Sequence, residues 1–436
     1  MKALTKISIG FLALAAVALW FTSCSSEDVT SGTNQGKMSS LTLTINTGKS
    51  MGSRATDWID KDPAGTKKED TENKINRITV GIFSDDGNTL RTIVELTPGD
   101  GKKNTFKPET TATSTSASTT IVTNSLADGD LIKVAVNAPK NHFVGIKTAN
   151  DFMNKSEEAK YALTNSTDLT KEACNNNVPM YGEGTLTPKT SGDNSAFKVS
   201  GDKVTVKHML AKVSLESLSV DFKDGSAYAN AEFTPVAAFL INVPDKMNFT
   251  TDVWNSGASL LHGWSAYDTS DGTNCTFNYA AGNSGSGTYA QYLTTENLTS
   301  ATPLSGTASS GTATSTAKAW FYTLPNEKVD DGATNTSNTK LVIAGKFKEN
   351  TGSAAEMVYY SLPINATYDA STHKYVKPAN GDGSAFQVCP NQNYKCSVII
   401  RTKGSSNPNI NLTPQEAEIK VEVTDFVGVT QNAEFN

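Results

Sequence analysis

Apolar and polar residues alternate one by one in several short stretches of this chain, and a period of two predicts strands with one buried face. The first such stretch is SSLTLTINT (39–47), where we expect a half-buried strand. A loop (48–55) and a charged linker (57–72) should follow it. The apolar members of the strand are Leu41, Leu43 and Ile45.

A second strong pattern, INRITVGIF (75–83), is followed by Asp86-Gly87. This dipeptide favours a type I′ hairpin turn, because both central positions of that turn need positive φ. The partner strand would be 89–96. The same reasoning predicts strands at 119–124 and 131–139, a short helix at 151–163, and one long strand or two consecutive strands at 203–222.

The second half of the chain repeats this theme. Serine, threonine, glycine and asparagine separate its apolar stretches, and two low-complexity segments, 110–120 and 305–317, are expected to be exposed loops. Many short strands joined by such loops predict an all-β protein with two β-sandwich domains in tandem. The strands predicted here are 235–244, 319–325, 341–347, 358–364, 394–400 and 418–426.

The first 24 residues have the pattern of an export signal rather than of a structural helix. Lys2 and Lys6 precede an apolar stretch (7–21) that is too short for a comfortable membrane span, and small residues lead to Cys24. The ending Phe-Thr-Ser-Cys resembles a bacterial lipobox, in which the cysteine is lipidated and anchors the chain to a membrane surface. The alternative is an ordinary signal with an incidental cysteine.

The amino-acid composition limits which classes of partner and which cellular compartment fit this chain. The 436 residues carry 38 basic and 44 acidic side chains, and this mildly acidic balance argues against nucleic acid as a partner. Abundant polar uncharged residues are typical of an extracellular β protein. Four scattered cysteines could pair in an oxidising compartment, but we expect mostly free, buried thiols. The cysteines are Cys24, Cys174, Cys275, Cys389 and Cys396.

The sequence lacks a recognisable constellation for catalysis. Its four histidines lie far apart, and it contains no HExxH, GxSxG, P-loop or dinucleotide motif, so we predict neither an enzyme nor a cofactor or metal site. His208 is expected to be a structural histidine. DTSDGTN (268–274) lacks the spacing and the closing glutamate of a calcium loop and predicts a turn. Trp254, Trp264 and Tyr267 could stack against a sugar, although clustered aromatic residues more often fill a core.

The order of several motifs is more specific than any one of them. INRITVGIFSDDG is followed by VAVNAP, VPMYG, VTVKHMLAKVSL, FLINVP, FYTLPN and FQVCPNQNYKCSVIIRTKGSSNP. Behind a lipoprotein signal, this ordered set resembles the fimbrillin family of the Bacteroidales, the FimA-type major fimbrial subunits of type V pili, over residues 41–436. His208-Met209 and Cys389-Pro390 depart from the family pattern.

The resemblance implies Greek-key, transthyretin-like sandwich domains at 55–215 and 216–436. It also implies an outer-membrane lipoprotein precursor that an arginine-specific protease cuts, after which the subunit polymerises by donor-strand exchange into an extracellular fimbria. Carried onto this sequence, the implied parts are a signal peptide at 1–23, lipidation of Cys24, a pro-segment with a removable strand at 24–54, and a scissile bond between Arg54 and Ala55. Lys49 is an alternative cleavage site.

Sequence patterns near the two ends of the chain agree with strand exchange. A strand removed from a sandwich leaves unpaired backbone groups and an apolar groove that another chain can fill. EIKVEVTDF has the same alternation as SLTLTI, so residues 416–436 are a candidate donor for a neighbouring molecule, through Ile419, Val421, Val423 and Phe426. The alternative is that both stretches are ordinary strands of one monomer.

These inferences favour a structural subunit of a fimbrial shaft that supports adhesion and biofilm formation. Its expected partners are other copies of itself and related minor fimbrillins, the protease, and the outer membrane before processing. The alternative is a tip adhesin or a glycan-binding surface lipoprotein that never polymerises. Cleavage after Arg54 would leave 38 − 5 = 33 basic and 44 − 2 = 42 acidic residues, a net charge of −9 that favours solubility.

Overall fold

In a computed structural model of the chain, nearly all regular structure is β-strand, and the prediction of an all-β protein is confirmed. No helix among the described residues is long and apolar enough to cross a membrane. The structure describes residues 38–47, 73–110, 115–158, 178–250, 257–263, 319–327, 337–369, 374–406 and 417–425, together with short pieces between 266 and 315 and at 371–372 and 408.

The first half of the described chain forms a sheet that closes on itself. Eight strands follow one another around it in the order β1, β5, β4, β3, β2, β6, β8 and β9, and β9 pairs with β1 again. The strands of this half are β1 (Met38–Asn46), β2 (Ile78–Phe83), β3 (Leu90–Pro98), β4 (Thr105–Thr110), β5 (Thr115–Asn124), β6 (Leu131–Val136), β7 (Ser156–Glu158), β8 (Met180–Pro188), β9 (Ala196–Val199), β10 (Val204–Thr205) and β11 (Lys207–His208).

The hairpin predicted at Asp86-Gly87 is present, but the predicted type I′ turn is wrong. Gly87 N donates to Ser84 O at 2.8 Å, and of the dipeptide only Gly87 has a positive φ, 73°. The Asp86 carboxylate accepts hydrogen bonds from the Ser84 hydroxyl and from Asn88 N, so its side chain fixes a longer turn in which Asp86 keeps an ordinary φ.

The prediction of an exposed loop at 110–120 is wrong for the second half of that segment. Strand β5 begins at Thr115, and its small residues alternate in burial: Ala117 is 1% exposed and Thr119 is 5% exposed. Threonine suits a pleated strand, and these side chains face the interior of the closed sheet. The other loop, 305–317, also contains strand residues, because Ser305 and residues 314–315 lie in short strands.

The second half is built on two sheets. One contains β12 at its centre, flanked by β21, β22 and β27, with β28 beyond β27; the other runs β18, β15, β13, β23, β24. All six strands predicted in this half are present. The strands are β12 (Ala211–Val220), β13 (Glu232–Pro244), β14 (Lys246–Asn248), β15 (Leu260–His262), β16 (Ala266–Asp268), β17 (Asn274–Thr276), β18 (Thr288–Tyr289), β19 (Thr294–Glu296), β20 (Leu304–Ser305), β21 (Thr314–Ser315), β22 (Ala319–Thr323), β23 (Lys340–Lys348), β24 (Glu356–Pro363), β25 (Thr367–Asp369), β26 (Lys374–Val376), β27 (Gln392–Ile400) and β28 (Ala417–Asp425).

The stretch 203–222 is neither one strand nor two, but three. β10 and β11 extend the closed sheet, whereas β12 pairs along its length with strands of the second half. Met209 and Leu210 separate the two sets, and both side chains are buried. The division into two tandem sandwiches stays a prediction.

The described residues form two large apolar clusters and a third, smaller one between β13, β23 and β24. One fills the closed sheet and includes Leu41, Leu43 and Ile45 of β1, all 0% exposed. The second lies among the sheets of the other half and also takes in outward side chains of the closed sheet, such as Ala135 and Tyr181. The closed sheet is therefore packed on both faces at β6 and β8.

A single short helix in the described chain, α1 (Ala149–Met153), contributes Ala149 and Phe152 to the second of these clusters. Its capping box consists of Thr148, whose hydroxyl accepts from Asp151 N at 3.0 Å, and Asp151, whose carboxylate accepts from Thr148 N at 3.0 Å. The buried Phe152 stacks on Phe143 with ring centroids 4.0 Å apart. The helix predicted at 151–163 thus starts earlier and stops by Met153, and residues 159–163 lie outside the described part.

Candidate functional site

The strand β1 inserts its apolar side chains into the closed sheet as its sequence predicted. Leu41, Leu43 and Ile45 are 0% exposed, while Thr42 is exposed on the outer face. Burial of one such aliphatic side chain contributes about 1.5–3 kcal/mol relative to exposure. The three together are therefore comparable to a sizeable part of the net stability of an ordinary domain, about 5–15 kcal/mol.

Both edges of β1 are paired. On one side it runs antiparallel to β5, with Leu41 opposite Ile121, Leu43 opposite Thr119 and Ile45 opposite Ala117. On the other side it runs parallel to β9 and then to β10, where Ile45 is opposite Val204. A strand with two paired edges closes the sheet, and its removal would leave two strand edges and an apolar groove between them.

Polar contacts secure both ends of the strand. Ser40 N donates to Ser195 O at 2.9 Å and the Ser39 hydroxyl donates to Asn194 O at 3.0 Å. At the other end, Val206 N donates to Asn46 O at 2.9 Å. The loop before β9 and Val206, the residue between β10 and β11, thus hold the two ends of the inserted strand.

The outer face around β1 carries lysines. Lys189 Nζ donates to the Thr42 hydroxyl at 2.6 Å, and Lys198 lies beside Thr42 in the parallel register of β9. Lys198 also pairs with Asp202 at 2.7 Å. Lys203 and Lys207 flank β10 on the same outer face, because Val204 and Val206 point inward. The outward residues of β1 itself are uncharged: Met38, Ser40, Thr42, Thr44 and Asn46.

The candidate donor strand β28 lies on its own molecule in this structure. It pairs antiparallel with β27 over nine residues, from Ala417 opposite Ile400 to Asp425 opposite Gln392. Val423 is 1% exposed and Val421 is 8% exposed, whereas Glu422 is exposed, so the predicted alternation is present at residues 421–423. The side chain of Ile419 lies outside the described part. Within the described residues β28 has one strand neighbour in its sheet, which makes it an edge strand.

The structure places the predicted site residues unequally. Leu41, Leu43 and Ile45 come together in one groove, and Ile419, Val421 and Val423 share one strand. These two sets lie in different sheets. The proposed lipidation and cleavage residues, Cys24, Arg54 and Ala55, lie outside the described residues, as do Lys49 and Phe426.

The groove has walls that sequence reasoning missed. Ala117 and Thr119 of β5 come from a low-complexity segment, and Phe197 of β9 from a stretch without a strong pattern. The signal available in β5 was the alternation of Ala117, Thr119 and Ile121, which faces inward.

Outside the groove, we also considered side chains that could bind a metal or take part in catalysis. The ring of His208, 2% exposed, lies with Nδ1 3.3 Å from Asn391 Oδ1, which confirms a partnered structural histidine. Within the described chain, no group of three or more potential metal ligands occurs. Asp268 and Asn274 are opposite each other in the β16–β17 pair, but residues 269–273, Trp254 and Trp264 lie outside the described part.

Two cysteines are free thiols, as predicted for them. Cys396 is buried, and burial together with the nearby Glu216 carboxylate raises its pKa to about 12. Burial and Asp382 raise the pKa of Cys389 to about 11. Both thiols are therefore protonated and unreactive at neutral pH.

Residues 39–216 match the family model of the major fimbrial subunit protein (FimA), which confirms the resemblance to the fimbrillin family. Among solved structures, a fimbrilin from Porphyromonas gingivalis aligns with a TM-score of 0.56 at 15% identity. The alignment covers 91% of this chain and 99% of that chain. No curated protein matches this chain.

Two other structures share the fold. A proposed cell adhesion protein from Parabacteroides distasonis has a TM-score of 0.57 at 16% identity, covering 90% of this chain and 99% of that chain. One from Bacteroides eggerthii has a TM-score of 0.54 at 17% identity, covering 91% and 98%. At these identities the likeness establishes the fold and nothing finer.

Proposed function

We propose that this chain, whose residues 39–216 match the fimbrial subunit family, is a structural subunit of a cell-surface fimbria that polymerises by donor-strand exchange. The precursor is exported, lipidated on Cys24 and held at the outer membrane. A protease cuts it after Arg54, and the subunit then joins other copies of itself in an extracellular fibre that supports adhesion and biofilm formation.

The observation that supports this proposal is the position of β1. This strand completes the closed sheet of the first half. The chain between β1 and residue 73 contains the bond between Arg54 and Ala55. A cut there leaves β1 attached to the sheet by packing and hydrogen bonds alone. The strand then becomes a separate segment that a second strand can replace.

Replacement rather than loss is the physical requirement. The groove under Leu41, Leu43 and Ile45 is apolar, and an empty groove would expose that surface and two unpaired strand edges. β28 has the matching alternation and lies at the edge of its own sheet. Its transfer to another subunit exchanges pairing with β27 for pairing with β5 and β9.

Exchange of this kind is head to tail. Each subunit offers one groove and one donor, so the contact does not close on itself and builds a filament. Strand addition supplies backbone hydrogen bonds, while the buried side chains at alternate positions supply specificity.

The proposal is tested with the full-length precursor and an arginine-specific protease. We expect cleavage to release a fragment that ends at Arg54 and to produce a ladder of multimers. The Arg54→Ala variant should stay monomeric under the same treatment, while the matched Lys49→Ala variant should polymerise. Polymers formed by Arg54→Ala at the wild-type rate would contradict this bond as the trigger.

Two further measurements separate the parts of the proposal. A fibre-extracted chain that begins at Ala55 supports processing, whereas a chain that begins at a lipidated Cys24 supports a permanent lipoprotein. A chain without residues 416–436 should fold and be cut but should not polymerise, and normal fibres from it would remove β28 as the donor.

A further inference from the structure

Between β27 and β28 the chain contacts β24, a strand that belongs to the other sheet of the second half and lies at its edge in the described part. Tyr359 N donates to Ser405 O at 2.8 Å, and Ser405 N donates to Tyr359 O at 3.1 Å. The two bonds form an isolated β-bridge, which covers part of the edge of β24. We call residues 402–405, together with Pro408, the strap.

Side chains of β24 bind the strap at further points. The Tyr360 hydroxyl donates to Thr402 O at 2.8 Å and accepts from Gly404 N at 3.1 Å. The Ser361 hydroxyl donates to Pro408 O, and both of these residues are buried. Three successive residues of β24, beginning with Tyr359, therefore hold the strap by hydrogen bonds.

Close packing and an ion pair add to these bonds. A Cβ on Gly404 would lie 2.8 Å from Tyr359 O and 2.9 Å from Tyr360 Cζ, so the strap backbone lies directly against β24. Lys403 Nζ lies 2.7 Å from a carboxylate oxygen of Glu356, at the start of the same strand. The strap thus contacts β24 from its first residue onward.

The bonds of the strap and the bonds of β28 lie in different sheets. The strap is bound to β24, whereas β28 pairs with β27 in the sheet that contains β12. Breaking the ladder between β27 and β28 therefore removes none of the strap contacts described above. The donor strand can leave its own sheet while the chain before it remains bound.

We propose that the strap stays on β24 when β28 moves into the groove of a second copy of this chain, and that it is the fixed point from which the donor reaches the next subunit. This inference rests on the proposed function, because it concerns how the donor strand is attached to its own subunit. Pro408 and Ala417 are nine positions apart, so an extended chain spans at most about 30 Å between them. The strap thus limits how far from β24 the neighbouring groove can lie.

A covalent staple tests whether the strap stays in place. Glu356→Cys with Lys403→Cys puts two thiols at a surface ion pair, where a short bis-maleimide can join them. We expect the stapled full-length chain, after cleavage, to polymerise at the wild-type rate. The two single-cysteine variants, treated in the same way, control for the reagent. A stapled chain that is cut but forms no polymer would overturn the proposal, because the strap would then have to leave β24.

Hydrogen exchange measures the strap in the assembled fibre. Gly404 N and Ser405 N are hydrogen-bonded, so we expect peptides over 401–406 to exchange equally slowly in the precursor and in the polymer. Tyr360→Phe removes the hydroxyl that binds the strap at two points, and exchange should become about tenfold faster in both states. Tyr181→Phe, which removes a tyrosine hydrogen bond in the first half, should not change it. Loss of protection when the wild type polymerises would overturn the proposal.

A second staple separates this inference from the proposed function. Val421 of β28 is opposite Cys396 of β27, so Val421→Cys, refolded under oxidising conditions, can form a disulfide that keeps β28 on its own molecule. We expect this chain, once cut, to stay monomeric, and the same variant refolded with reductant to polymerise. Polymers that form with the disulfide intact would exclude β28 as the donor, and the inference would fail with the proposed function. If the reduced variant polymerises but the staple between residues 356 and 403 blocks assembly, β28 remains the donor and only the inference fails.

Discussion

Ile45 and Val204 are opposite partners in the short parallel ladder between β1 and β10, and Ile45 is paired on its other side with Ala117 of β5. A strand from the beginning of the described chain thus completes a sheet whose neighbouring strands come much later in the sequence. The stability of the first half therefore depends on the same strand that the proposed processing would release.

Replacement of Leu43 by alanine tests this dependence. Leu43 is 0% exposed at the centre of β1, so Leu43→Ala should lower the free energy of unfolding of the precursor by about 2–5 kcal/mol. Thr44→Ala, one position along and on the outer face, should change it by no more than about 0.5 kcal/mol. Urea denaturation of the uncut chain measures both. Equal effects of the two substitutions would contradict the observed burial of the strand.

Gly182 lets β8 lie close to β10, and β10 in turn pairs with β1. A Cβ on Gly182 would lie 2.5 Å from Thr205 O and 2.9 Å from Val204 Cγ1, which is too close for either to remain in place. We expect Gly182→Ala to cost about 1–3 kcal/mol of unfolding free energy in a thermal or urea melt. Gly352→Ala should be nearly neutral, since the nearest atom to its Cβ is 3.5 Å away. A neutral Gly182→Ala would show that β10 can shift freely.

Strands with strong apolar alternation were predictable from sequence. Leu41, Leu43 and Ile45 are buried as expected, and Val421 and Val423 alternate with the exposed Glu422. In such strands the pattern itself reports which face meets the core. The pattern does not show which core a strand contacts. For this reason β1 and β28 have similar sequence patterns although they lie in different sheets.

The closure of the sheet could not be read from the sequence. It depends on parallel ladders of three pairs between β1 and β9 and two pairs between β1 and β10, which join distant segments. The strand opposite β1, from Thr115 onward, is rich in serine and threonine and looks like a loop by composition. Its partner supplies the apolar groups, so the burial of Ala117 and Thr119 is a tertiary effect.

The two free thiols differ from exposed cysteines in a measurable way. Burial and Glu216 raise the pKa of Cys396 to about 12, so almost no thiolate is present at pH 8. We expect iodoacetamide to leave Cys396 unmodified in the folded precursor and to modify it fully in urea, as read by peptide mass spectrometry. Modification of the native protein within minutes would contradict the burial of this strand.

His142 should make the protein less stable in acid. Its ring contacts Phe143 and Phe249, with centroids 5.1 and 5.4 Å away, and its Nε2 is buried without a hydrogen-bond partner among the described residues. Burial, together with the charge of Lys155, lowers the pKa of His142 from 6.5 to about 4. Because the folded pKa is below the unfolded one, the stability is fully present above about pH 6.5 and is lost as the pH falls towards 4.

We expect this group to contribute about 2 kcal/mol to the difference in unfolding free energy between pH 7 and pH 4, a value reduced because the ring is partly exposed. In His142→Phe that difference should shrink by the same amount, while the carboxylates common to both proteins keep their own contribution. Urea denaturation at the two pH values measures the effect, and an identical pH dependence in the two proteins would show that the ring is protonated without cost in the folded state.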